Sequence, residues 1–137
     1  MKWLVLAAAV LIGGCSHDVG PTQEDLKVMW EQQNVFPQNY KSDLLAFMRT
    51  YLNDPSHVRG AQVSQPFRKK MGLGDRYITC VRFNARNTDG RYLGEKEGAV
   101  IYVGGKLNRY VDEAREVKDL CTDVALGAFP ELEKLTR

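Results

Sequence analysis

The sequence predicts an α+β domain: an N-terminal helix packed on a roughly four-stranded antiparallel sheet, with a C-terminal helix and a docked tail. Three observations indicate this class. Apolar residues recur at helical spacing over residues 40–52, side chains alternate over residues 77–86, and helical spacing returns after residue 112. Glycine-containing turns separate the later strands, so those strands are expected to be antiparallel neighbours.

The first strong helix is predicted to begin near Asn39, a good N-cap residue, and to end before the Asn53–Pro55 turn. Its apolar stripe is of the kind that packs on a core. The stripe consists of Tyr40, Leu44, Phe47, Met48, Tyr51 and Leu52. A shorter helix is predicted over 24–34, with Leu26, Met29 and Trp30 on its apolar face.

Four strands are predicted, over residues 58–65, 77–86, 99–103 and 106–111, and the glycine- and lysine-rich residues 66–76 are predicted to be a basic loop. In the strand 77–86, the side chains of Tyr77, Val81 and Phe83 point to one face, which is assigned to the core. The other face begins apolar at Ile78 and turns basic, so a C-terminal segment is expected to cover its apolar part.

Two turns and the C-terminal region complete the fold prediction. Asn87–Gly90 has turn chemistry, and Gly104–Gly105 predicts a two-residue hairpin. The C-terminal helix begins at Asp112, with acidic residues in its first turn as the helix dipole favours. The tail has three apolar anchors and is expected to dock on the domain. These anchors are Phe129, Leu132 and Leu135.

The segment Leu11–Cys15 is typical of a bacterial lipoprotein signal. A single basic residue, Lys2, precedes an apolar run of about nine residues, well short of the roughly 20 that a membrane-spanning helix needs. An ordinary secretory signal is the alternative. We expect residues 1–14 to be a cleaved signal peptide, 15–35 a tether that can hold a short helix, and 36–137 a periplasmic domain.

Acylation at Cys15, for example with palmitate, would make the membrane the first partner of this chain. Ser16 follows the cysteine instead of aspartate, which favours the outer membrane, with the domain facing the periplasm.

The charge of the mature chain is unevenly distributed. Residues 59–109 carry eleven basic and four acidic side chains, whereas residues 15–58 carry three and six and residues 110–137 carry four and seven. A basic contact face could attract an anionic lipid, peptidoglycan or an acidic envelope protein, and nucleic acid is excluded by the expected address. The alternative is that the acidic flanks pair with it. The candidate residues are Arg68, Lys69, Lys70, Arg82, Arg86 and Arg91.

Cys80 and Cys121 remain after Cys15 is assigned to the anchor, and an even pair in the envelope predicts a disulfide. Two buried thiols or metal ligands are the alternatives. Metal sites prefer ligands at short spacing, and these two cysteines have no histidine nearby.

The sequence gives little support for catalysis, and neither an enzyme activity nor a cofactor or metal is expected. His17 lies in the tether, and His57 follows Ser56 directly, a spacing that rarely forms a Ser-His-Asp relay. Asp89, Glu95 and Glu97 lie in an exposed, turn-rich stretch and are interpreted as salt-bridge partners. The segment 72–74 lacks the further glycine of a phosphate loop.

Four segments resemble those of a family of small proteobacterial lipoproteins with a periplasmic α+β domain of unknown function. They are Thr50–Pro55, Cys80–Ala85, Asp89–Tyr92 and Phe129–Leu132. The resemblance covers about residues 36–135 and implies the envelope address, but it implies no ligand or catalytic residue.

The expected function is therefore a lipid-anchored envelope protein of structural or adaptor type. The alternative is an inhibitor of a lysozyme-like hydrolase, for which an exposed basic loop over 66–76 would enter the enzyme's cleft.

Overall fold

The computed structural model describes residues 14–15 and 19–136. The predicted signal peptide, apart from Gly14, lies outside the described residues, and so do Ser16 and His17. The fold is α+β with an antiparallel sheet, so the predicted class is confirmed. In chain order the elements are α1 (Gln23–Gln32), α2 (Tyr40–Tyr51), β1 (Asp54–Val63), β2 (Phe67–Met71), β3 (Gly74–Arg86), β4 (Tyr92–Val103), β5 (Lys106–Val111), α3 (Ala114–Cys121), β6 (Gly127–Ala128) and α4 (Pro130–Glu133).

The described part of the sheet has six strands instead of about four. Its order is β5-β4-β3-β1-β6, and β2 pairs with the first part of β3, so β1 and β2 lie in succession beside the same strand. The prediction of a basic loop over 66–76 was wrong for β2, because Phe67 and Met71 pack on one face of the sheet while Arg68 and Lys70 point to the other face and are exposed. β4 begins seven residues earlier than predicted, at Tyr92.

Helices cover both faces of the sheet, and each face has its own core. The helices α2 and α4 cover the first face, where Val81, Phe83 and Val100 are buried against Leu44 and Met48. The tail docks there as predicted, since Phe129, Leu132 and Leu135 are also buried. The alternation of side chains along β3 therefore predicted correctly which side faces this core.

The second face is covered by α3, which is joined to the sheet by a disulfide between Cys80 and Cys121, with their Cα atoms 5.9 Å apart. Ile78 and Cys80 are fully buried beneath this helix, as the apolar start of that face predicted. Glu113 caps α3 through its carboxylate, which accepts hydrogen bonds from the backbone N–H groups of Arg115 and Glu116.

The two ends of the sheet differ. We call one the α1 end, where β3 begins and β4 ends, at the turns 72–73 and 104–105. We call the other the hairpin end, where β3 and β4 are joined through residues 87–91. The 13 residues of β3 separate these ends by roughly 40 Å.

At the α1 end, Trp30 fixes α1 to the β2–β3 turn. Its indole Nε1 donates to the Asp75 carbonyl at 2.9 Å, and the Arg76 guanidinium lies 3.6 Å from the ring centroid. A Cβ atom at Gly72 or Gly74 would come within 3.0 Å of the indole, so both glycines are needed for this close approach. The helix α1 is therefore held at this end of the sheet.

In the part of the chain that the structure describes, no helix has both the length and the apolar character needed to span a bilayer.

Candidate functional site

Five of the six residues of the candidate basic face fall into two groups at opposite ends of the sheet, and the sixth, Arg82, lies between them on β3. Arg68, Lys69 and Lys70 lie on β2 beside the start of β3, whereas Arg86 ends β3 and Arg91 lies in the hairpin. Arg68 is opposite Tyr77, so nine residues of β3, roughly 30 Å, separate it from Arg86. These cations therefore do not form one continuous patch.

Several of these cations also have acidic partners. Arg68 lies 3.1 Å from the Asp75 carboxylate, and Arg82 on β3 lies 3.5 Å from Glu95 and 3.6 Å from Glu97. These three carboxylates belong to the basic region itself, and Glu95 and Glu97 have the salt-bridge role predicted for them. The alternative interpretation was pairing with the acidic flanks, and the N-terminal flank contributes Glu31, 3.8 Å from Arg68, and Asp54, which binds Arg86.

The hairpin end brings together a serine, a histidine, an aspartate and an arginine. Arg86 lies opposite Asp54 across the β1–β3 pair and binds its Oδ2 through Nε and Nη2, at 2.8 and 2.7 Å. Ser56 Oγ donates to Asp54 Oδ1 at 2.6 Å and lies 2.9 Å from His57 Nδ1. His57 Nδ1 is also 3.2 Å from Asp54 Oδ2.

This cluster lacks the geometry of a Ser-His-Asp relay. In such a relay the two imidazole nitrogens face different partners, one the hydroxyl and the other the carboxylate. Here a single atom, His57 Nδ1, faces both, and it also lies 2.6 Å from Arg86 Nη2. An arginine only donates, so Nδ1 must accept, and the Ser56 proton already goes to Asp54. The arrangement is an aspartate-centred turn tied to β3.

The electrostatics of Asp54 agree with that structural role. Hydrogen bonds from Ser56 and from Arg86 hold the pKa of the Asp54 carboxyl well below its usual range. The Asp54 side chain is only 14% exposed, and it remains ionised because the guanidinium and the Ser56 backbone N–H stabilise its charge. The cluster locks the start of β1 to the end of β3.

A cleft of about 380 Å³ opens beside this cluster on the α2 face, and we call it the aromatic cleft. Its floor is formed by Phe83 and Ala85, and Tyr51 and Tyr110 form one wall. The rings of Phe47, Tyr51 and Tyr110 pack against one another with centroids 4.8–5.1 Å apart, Phe47 and Tyr51 being stacked and Tyr110 tilted against both. Charged residues lie at its rim. An apolar floor with a few polar groups around it is typical of ligand-binding sites. These rim residues are Arg86, Lys96, Glu97 and Asp112.

The position of Tyr110 depends on a glycine in the middle of β4. A Cβ atom at Gly98 would overlap the Tyr110 hydroxyl and ring, so only glycine lets this ring lie flat on the sheet. Tyr51 then donates a hydrogen bond to Asp112 at 2.8 Å. Partial burial, together with this bond, raises the pKa of Tyr51 to about 12, and burial raises the pKa of Tyr110 as well.

A second cleft, of about 550 Å³, lies on the α3 face of the same hairpin, and we call it the charged cleft. The side chains of β4 form one wall and the helix α3 with the residues after it forms the other. Four carboxylates and three cations line it: Glu95, Glu97, Asp112 and Asp123, with Arg82, Lys96 and Lys118. Glu95 and Glu97 share the single guanidinium of Arg82, so this cleft has an excess of negative charge.

The remaining candidate residues do not join these clefts. Cys15 is exposed, and Asp89 lies in the hairpin turn, where its N–H donates to the Asn87 side chain. Within the described ranges, no group of three or more histidine, cysteine, aspartate or glutamate residues is arranged to hold a metal ion.

Sequence reasoning missed both clefts, because their walls come from distant segments. One signal was available for the aromatic cleft: Gly98 interrupts an otherwise apolar strand, and an interior strand glycine often marks a close approach.

Comparison of the chain with protein-family models, with curated proteins and with solved structures found no match.

Proposed function

We propose that this chain is a lipid-anchored envelope protein that acts as an adaptor and not as an enzyme. Acylation at Cys15 would hold it on a membrane, and the domain would present the two clefts of its hairpin end to a partner. The resemblance to small proteobacterial lipoproteins supports the same address.

The observation that carries this proposal is the position of the clefts relative to the tether. Seven residues lie between Cys15 and α1, and they reach at most about 25 Å when extended. The helix α1 packs at the α1 end through Trp30, and both clefts open at the hairpin end, roughly 40 Å away along β3. A membrane anchor at Cys15 would therefore leave both clefts accessible from the periplasm.

The proposal gives Asp54, Ser56 and His57 a structural role, because their hydrogen bonds tie the start of β1 to the end of β3. The hydrolase-inhibitor alternative depended on an exposed basic loop over 66–76. Those residues form β2, a tight turn that packs against Trp30, and the start of β3, so no exposed loop over 66–76 is available to enter the cleft of a hydrolase.

Membrane fractionation of cells that express the Cys15→Ser variant tests the anchor. We expect the variant to leave the membrane fraction and the Ser16→Ala variant, which keeps the acylated position, to remain there. Retention of Cys15→Ser in the membrane would contradict anchoring through this thiol.

A further inference from the structure

The outer edge of β4 is unpaired along half of its length. β4 pairs with β3 from Tyr92 to Tyr102, but β5 covers only Ala99–Val103, because the chain leaves the sheet after Val111 towards α3. Among the described residues, none pairs with β4 over residues 92–97 on that side. The hairpin therefore presents an open strand edge.

The ladder geometry identifies the backbone groups that point out of this edge. Both backbone polar groups of Cys80 face Ser64, since Cys80 donates to the Ser64 hydroxyl and accepts from the Ser64 N–H, each at 2.8 Å. Its partner on β4, Ala99, must then direct its own groups away from β3. The alternation repeats every two residues, so Glu97 and Glu95 direct their N–H and C=O groups into solvent.

The two clefts lie on opposite faces of this edge. Lys96, Glu97 and Asp112 line both of them, so only the edge of β4 and the end of β5 separate the two spaces. A strand placed along the edge would continue the row that β5 begins. Its side chains would alternate between the aromatic cleft and the charged cleft.

We propose that residues 92–97 of β4 bind an extended peptide segment of a partner protein by strand addition. Main-chain hydrogen bonds to Glu95 and Glu97 would provide affinity, and the two clefts would bind alternate side chains of the peptide and provide specificity. The inference rests on the proposed adaptor function and names the class of partner that the hairpin end takes.

The charges next to the edge define the sequence of that peptide. Glu95 and Glu97 point into the charged cleft, where they share Arg82, so residues paired with them are expected to be lysine or arginine. The residues between these would be apolar, since they face Phe83 and Tyr110 in the aromatic cleft.

The same charges disfavour a second copy of this chain as the occupant. A hydrogen-bonded antiparallel pair requires outward-facing residues on both strands, so Glu95 and Glu97 would oppose Glu95 and Glu97 of the second copy. Like charges directly opposite each other destabilise a strand pair. A basic, alternating peptide removes that repulsion.

Amide hydrogen exchange on the full chain in detergent tests the proposal, with a blocked nine-residue peptide of alternating lysine and valine as the probe. We expect the peptide to slow exchange at the Glu95 and Glu97 amides and to leave the Lys96 amide, which already faces β3, unchanged. A control peptide that is N-methylated on the amides facing β4 should bind at least about tenfold more weakly, since it cannot form the ladder.

A matched pair of variants separates the backbone from the side chain. Glu97→Ala and Glu97→Pro both remove the carboxylate, but only Glu97→Pro removes the outward N–H. Glu97→Pro is expected to bind the probe at least about tenfold more weakly than Glu97→Ala. Protection in the unmutated chain does not depend on whether the proline variant folds.

Three results would overturn the inference: no protection of Glu95 and Glu97 at millimolar peptide, equal binding of the N-methylated peptide, or self-association through this edge in sedimentation experiments. The anchor is tested separately, because Cys15→Ser leaves the edge intact. Loss of peptide binding with normal membrane retention would remove this inference alone.

Discussion

The α1 end and the hairpin end of the sheet differ in how their edges are completed. At the α1 end, Trp30 packs over two glycines of the β2–β3 turn, and Gly104 donates its N–H to the Gln33 carbonyl. The helix α1 and the residue after it therefore cover the turns at this end. At the hairpin end, β5 ends at Val111, opposite Ala99, and no described element pairs with β4 on that side over residues 92–97. One end is completed by the protein's own chain, and at the other the described residues leave a strand edge and two clefts open.

The disulfide is expected to have the largest effect, because it holds α3 as a wall of the charged cleft. Its closed loop spans 41 residues, so the double variant Cys80→Ser, Cys121→Ser should lower the free energy of unfolding by about 4 kcal/mol. Urea unfolding measures the change, with Cys15→Ser as a control that should leave stability unaltered. A double variant as stable as the parent would show that α3 is held by packing alone.

Trp30→Ala should open the α1 end without affecting the hairpin end. Loss of the indole is expected to weaken the docking of α1 by about 3 kcal/mol, the lower part of the range for tryptophan, because the ring is partly exposed. Hydrogen exchange should accelerate across Gln23–Gln32 and stay unchanged over residues 92–97. Acceleration at both ends would mean that the two ends are not independent.

Gly98→Ala should disturb the aromatic cleft alone. The new methyl group meets Tyr110, and overpacking of this kind typically costs about 2 kcal/mol. Thermal unfolding and the near-ultraviolet signal of the tyrosines measure the effect. Gly127→Ala is the matched control, since its Cβ would make only an ordinary contact with the Val63 carbonyl. Similar changes in both variants would rule out a specific role for Gly98.

Acid should weaken the hairpin end through Asp54, and this is the smallest expected effect. The pKa of Asp54 is lowered in the folded chain, so its contribution is present above the unfolded value of about 4 and is lost as the pH falls below it. Asp54→Asn should therefore show a shallower loss of stability between about pH 4 and pH 2 than the parent chain. Parallel curves in urea unfolding would contradict this assignment.

The burial of both sides of β3, and the disulfide at Cys80, could be predicted from the sequence. Alternation separates Val81 and Phe83 from Ile78 and Cys80, and burial of both sets follows from helices on each face. A buried strand is predictable because each apolar side chain indicates which face of the sheet is buried at that position. The docked tail followed for the same reason, from Phe129, Leu132 and Leu135.

The exposed strands could not be predicted in the same way. The run Arg68–Lys70 and the segment Tyr92–Glu97 form strands whose side chains are largely solvated, so hydrophobic alternation does not mark them. Pairing with β3 defines them instead. The candidate site has the same origin, since Tyr51 and Tyr110, or Asp54 and Arg86, meet only through the sheet register.

The unpaired edge of β4 is tested most directly by hydrogen exchange in the full chain without any ligand. The amides of Glu95 and Glu97 are predicted to exchange rapidly, while those of Lys96 and Gly98, which face β3, are protected. Equal protection at all four amides would show that this edge is already covered and would contradict an open hairpin end.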